Sequence, residues 1–163
     1  MTARASASAA AAQGWSLALR FGALLAAIGL LDLALAWLPR LGNERIGFFG
    51  IVSGGADALP LLTLGSGAVL AAAFALDRPS LLRVTGLVLL AISLLIFANL
   101  ALFALEVPRA VASTEEQPLL ALLGVRRLVL RTAGFALISG LGHFVGGFVA
   151  LYAGIFGRPA PIL

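Results

Sequence analysis

The chain has no cysteine, and only one histidine, one tyrosine and one methionine among its 163 residues. Without cysteine there are no disulfides, thiolate metal sites, cysteine-ligated iron–sulfur clusters or covalently attached haem. One histidine cannot build a bis-histidine haem within one chain, and no His or carboxylate set stands at metal-ligand spacing. Hydrolysis fares no better, because a nucleophile, a base and an orienting group are not found together. The glycine runs follow no strand, so they are not a phosphate loop. These absences lead to the expectation of a protein that is not an enzyme.

Charge is scarce too. Charged residues make up 11% of the chain, against roughly a quarter in ordinary soluble domains. Every basic residue is Arg, and the longest basic run is Arg126-Arg127. A net charge of +4 spread in this way is not a nucleic-acid surface. The Arg side chains read instead as topology and headgroup anchors. An all-Arg, Ala/Leu/Gly-rich composition is that of a GC-rich bacterial genome.

What fills the chain is hydrophobic sequence, 61% of it. Four long apolar stretches dominate, at about 17–37, 59–76, 84–105 and 132–156. Each is about the length that crosses a bilayer, and none keeps a water-facing stripe. The expected fold is an all-α integral membrane protein, a four-helix up-down-up-down bundle forming one domain over 17–157. Residues 1–16 read as a disordered Ala/Ser tail, and 158–163 as a short C-terminal tail. Ala34-Leu35-Ala36 fits a signal-peptidase pattern, but the apolar run before it is long for a signal core and contains Asp32. The expectation is an uncleaved first span.

Two connections are themselves apolar. Leu38 to Ala58 combines five glycines with Ile46, Phe48, Phe49, Ile51 and Val52, and reads as a segment lying in the membrane interface. Asp57 stands where it can cap the second span ahead of Pro60. Asp77-Arg78-Pro79-Ser80 is a tight turn. The third loop opens at Glu106-Val107-Pro108-Arg109 and passes Glu115-Glu116-Gln117-Pro118. The stretch from Leu119 to Leu130 then reads as a second interfacial helix, flanked by Arg126, Arg127 and Arg131. Arg residues are nearly balanced between the two sides, so orientation rests on the two Arg of the tight turn, which favour cytoplasmic termini.

The fourth span carries the most specific pattern. One helical face collects Ala136, Ser139, Gly140, His143, Gly146, Gly147, Ala150 and Gly154, with Gly140, Gly147 and Gly154 at seven-residue spacing. Glycine weakens a helix, so such a stripe implies close approach of another surface. That surface can be a neighbouring helix, met through these glycines or through Gly142-x-x-x-Gly146. It can also be a lipid or the plane of a haem or chlorin. His143 lies in the stripe and needs a partner in hydrocarbon. It is open to three readings: a structural hydrogen bond, an axial ligand, or a proton-transfer group. Asp32 and Asn99 are the other costly residues, and with His143 they suggest one polar layer.

Three functions fit. The first is a non-catalytic subunit or assembly protein of a respiratory or photosynthetic membrane complex, packing through the glycine face of the fourth span. The second is a tetrapyrrole- or lipid-binding membrane protein centred on His143. The third is a small transporter using Asp32, Asn99 and His143. The expected surroundings are membrane lipids and other transmembrane subunits, in a bacterial inner membrane and without nucleic acid. No cofactor is required by the sequence.

Overall fold

The computed structural model describes residues 2–38, 47–112 and 119–157, with side chains described at 10–38, 47, 49–112 and 123–157. Every element among them is helical: α1 (Thr2–Leu35), α2 (Phe48–Gly55), α3 (Leu59–Ala75), α4 (Pro79–Ala112) and α5 (Leu119–Phe156). A 3₁₀ turn, Ala56–Ala58, joins α2 to α3. Four segments are long and apolar enough to cross a membrane: Ala10–Leu35, Phe49–Ala75, Pro79–Ala112 and Leu123–Phe156.

These helices extend beyond their sequence-based limits, for local reasons. α1 reaches back to Thr2, so the tract expected to be disordered is helical; alanine is the strongest helix former. α4 runs through Pro108 to Ala112. Proline there removes the backbone bond to the carbonyl four residues back, yet the helix continues one turn beyond it. α5 is one helix of 38 residues, so Leu119 to Leu130 is its opening rather than a separate interfacial helix. No glycine or proline interrupts between Val125 and Ala133. The tight turn falls where expected. Asp77 takes a left-handed conformation (φ 50°), which Asp adopts more readily than most residues, and Pro79 opens α4 with its φ already set.

The first apolar connection also departs from expectation. Residues 39–46, and with them Ile46, lie outside the described residues, as do Glu115-Glu116-Gln117-Pro118 and the C-terminal tail. Ile51, Val52, Ala56 and Ala58 are buried, and α2 packs on α4. The Phe49 ring stacks on the buried Phe103 ring, centroids 5.1 Å apart. The Glu106 carboxylate accepts the Phe49 N–H at 2.8 Å, satisfying one of the free donors at the start of α2. This segment is thus folded into the protein instead of lying along its surface. Asp57 does not cap α3; it pairs with Arg131 of α5.

Two pairings dominate the packing, α1 with α3 and α4 with α5, and α3 and α5 join them. Both are glycine seams. A Cβ on Gly22 would meet the Gly65 carbonyl at 2.9 Å, and one on Gly29 would meet Leu62 backbone at 2.8 Å. In the second seam, a Cβ on Gly86 would meet Leu151 N at 2.7 Å, and one on Gly147 would meet the Gly86 carbonyl at 3.0 Å. Partners run in opposite order along each pair: Gly22 with Gly65 then Gly29 with Leu62, and Arg83 with Gly154 then Phe97 with Gly140. Removing side chains lets the backbones touch, which is how helices gain attraction where apolar burial gives none.

Candidate functional site

The buried face of α5 follows one register: Thr132, Ala136, Ser139, Gly140, His143, Gly147, Ala150, Ala153 and Gly154. Its heptad glycines are filled from within the chain. Gly140 lies under the Phe97 ring, Gly147 opposite Gly86 and Leu90, and Gly154 against Arg83 and Pro79, all on α4. Two hydrogen bonds stitch the seam, Ser93 Oγ to the Gly140 carbonyl at 2.9 Å and Arg83 Nε to the Gly154 carbonyl at 2.7 Å. Gly146 turns toward Leu70 of α3. Gly142 faces outward with nothing within 4 Å of where a Cβ would stand. Of the five glycines expected to form the packing face, Gly140, Gly147 and Gly154 are therefore covered by α4, Gly146 meets α3, and Gly142 stays open.

The layer of Asp32, Asn99 and His143 is not assembled. Asn99 donates to the Leu95 carbonyl at 2.8 Å and accepts from Trp37 Nε1 at 3.2 Å. It stands level with Thr132 and Ala136, beside which it lines a small void. His143 lies two turns further along α5, roughly 10 Å from Ala136 at 1.5 Å per residue. Asp32 is exposed on α1. Asn99 and His143 therefore sit at different levels of the α4–α5 pair, Asn99 beside Thr132 and Ala136 and His143 about two turns away along α5.

His143 is 3% exposed. Its Nδ1 stands 2.7 Å from the Ser139 carbonyl oxygen. A carbonyl only accepts, so Nδ1 carries the hydrogen and donates it. In the neutral ring, Nε2 then presents a lone pair. Nε2 is buried without a hydrogen-bond partner, and so is Ser66 Oγ on α3. His143 and Ser66 are among the residues that line a pocket of about 110 Å³ between α3 and α5, walled by Leu70 and Leu89. Gly67 and Gly142 form its rim and are exposed. Thr63, also at its wall, is spent: its hydroxyl donates to the Leu59 carbonyl at 2.8 Å and stands 2.7 Å from Ser139 Oγ.

The pocket brings a histidine and a serine that each keep an unpartnered polar atom to one small cavity. Its volume falls short of the several hundred Å³ usual for a drug-sized ligand, and a tetrapyrrole is larger still. Among the described residues, no group of three metal-ligating side chains is present. Comparison with family models, curated proteins and solved structures finds no match to this chain.

Sequence reading found His143 but not its setting. Thr63 and Ser66 are the polar residues of the second span, but nothing in the sequence links them to His143. Ser93, Gly86 and the pair Gly22 and Gly29 were passed over. The seven-residue spacing of Gly22 and Gly29 is the same signal that marked Gly140, Gly147 and Gly154.

Proposed function

We propose that this chain is an integral membrane protein, four spans running up-down-up-down in a bacterial inner membrane with cytoplasmic termini. Its role is that of a non-catalytic subunit or assembly protein set among other transmembrane helices of a respiratory or photosynthetic complex. One observation supports this reading above others: only 17% to 39% of the apolar stretch of each span is buried, and much of the outward remainder is apolar. Leu24, Leu31, Leu94, Ile138, Phe148 and Phe156 are all well exposed. The described elements are mostly helices of membrane-spanning length with short joins, which suits a role exercised through contacts inside the bilayer. With the α5 heptad glycines covered by α4, a partner helix meets the outer faces instead. Those faces suit lipid as well as protein and offer nothing to nucleic acid.

The test is purification from native membranes in mild detergent, with mass spectrometry of co-eluting material. Stoichiometric partner subunits support the reading. A protein that elutes alone or as a homo-oligomer sinks it. A second reading, a membrane protein that binds a lipid-soluble molecule at His143, is favoured by the pocket and its two unpartnered polar atoms. The transporter reading loses ground, because its three polar residues do not converge.

A further inference from the structure

The His143 pocket combines three properties. The first is depth. Along α5, His143 lies roughly 18 Å from Arg131 and roughly 16 Å from Gly154. Arg131 pairs with Asp57 at one end, and Arg83 binds the Gly154 carbonyl at the other. Those anchors span about the thickness of a hydrocarbon core, which sets the imidazole near its middle. The second is access. Gly67 and Gly142 leave the rim open sideways, toward lipid in a spanning bundle, because neither has a side chain to close it. The third is hydrogen-bond polarity. Nδ1–H is committed to Ser139, so Nε2 can only accept; Ser66 Oγ can donate or accept. A ligand that satisfies both must bring a donor, and it must arrive through the bilayer.

A quinone or ester carbonyl offers no hydrogen to Nε2 and would leave it unsatisfied in hydrocarbon. A metal ion would find one imidazole and one neutral hydroxyl, too poor a donor set. A hydroxyl fits. The volume of about 110 Å³ is comparable to the roughly 150 Å³ of a cavity that takes benzene, so one small ring or a short branched head can enter. We propose that the α3–α5 pocket binds the hydroxyl end of a bilayer-soluble lipid, donating to His143 Nε2 and sharing Ser66 Oγ, with its tail leaving between Gly67 and Gly142. This rests on the second reading above, and its failure leaves the subunit reading standing. Two sources carry this chemistry, a phenolic ring such as a quinol and an aliphatic alcohol.

His143 is the sole histidine, so ¹⁵N-histidine labelling of the full chain in phosphatidylcholine nanodiscs reports this ring alone. Three probes are added in turn: a decyl-tailed quinol held anaerobic, its quinone, and 1-decanol. The expected result is a shift of the Nε2 resonance, with Nδ1 little changed, by the quinol, by decanol, or by both. The quinol alone identifies a ring head, and decanol alone an aliphatic one. If the quinol binds, its affinity should exceed that of the quinone about tenfold, the value of one satisfied buried acceptor. Gly142→Leu supplies a variant that keeps the fold, since space is open there, while its side chain closes the rim; the shift should vanish. The proposal is overturned if neither hydroxylated probe moves Nε2. It is equally overturned if the quinone moves it as much as the quinol, or if Gly142→Leu responds like the wild type. An Nε2 already hydrogen-bonded in plain nanodiscs and indifferent to all three probes would mean the pocket holds water only, and would overturn the proposal.

Discussion

Gly86→Ala separates a packed seam from a merely flexible helix. In water-based scales the substitution gains about 0.8–1 kcal/mol of helix propensity. Against this, the new Cβ would stand 2.7 Å from Leu151 N and 2.8 Å from the Gly147 carbonyl oxygen. Both are backbone atoms that cannot rotate away. Relaxing the contact to an ordinary separation needs α4 and α5 to part by roughly 0.7–1 Å, since carbon contacts settle near 3.5–4.0 Å. A gap of that size forfeits about a quarter to a half of each dispersion well along the seam. If roughly 40 atom pairs are involved, at ~0.15 kcal/mol each, the loss is about 1.5–3 kcal/mol. The net expectation is destabilisation by about 1–2 kcal/mol. Gly142→Ala is the control: it lies on α5, with nothing within 4 Å of its Cβ position, and should be neutral or stabilising by up to about 1 kcal/mol. Reversible unfolding in mixed micelles titrated with dodecyl sulfate, followed by tryptophan fluorescence, measures both. If Gly86→Ala proves as stable as Gly142→Ala, the two helices are not in backbone contact and the seam is wrong.

Other expectations follow from single contacts. Glu106→Ala removes the acceptor for the Phe49 N–H, 2.8 Å away. It should cost about 0.5–2 kcal/mol, as other helix-start caps do, and amide exchange should rise across 48–52 more than in α3. Asn99→Ala takes the partner from Trp37 Nε1; a loss of about 0.5–1.5 kcal/mol should accompany a change in Trp37 fluorescence in a Trp15→Phe background. Asp57→Asn breaks the pair with Arg131, whose side chains are 66% and 45% exposed respectively. Its effect on unfolding should stay below about 1 kcal/mol and shrink with salt. Asp32→Leu should leave the fold intact and raise membrane-insertion efficiency, because the carboxylate sits exposed on an apolar helix; loss of the folded bundle would show that Asp32 has an internal partner.

Composition and run length alone determined a helical fold with four segments long and apolar enough to cross a membrane. An apolar segment of twenty residues with no polar stripe has few stable options, and both the helices and their number follow from it. The turn at Asp77 to Pro79 was equally legible, since proline and a left-handed aspartate act through their own backbone geometry. The heptad spacing of Gly140, Gly147 and Gly154 marked a close approach for the same reason. Sequence could not say what approaches. A missing side chain specifies contact without specifying the partner, and only the tertiary structure assigned that face to α4 and left Gly142 outside. The apolar segment at Phe49 to Ala58 shows the same limit: hydrophobicity demands burial but does not choose between lipid and protein, and Phe103 decided it. His143 was conspicuous from the start as the sole histidine. Its bond from Nδ1 to the Ser139 carbonyl is local, one turn away on α5, but that His143 shares a pocket with Ser66 depends on how α3 crosses α5, a relation between residues more than seventy positions apart that no local pattern encodes.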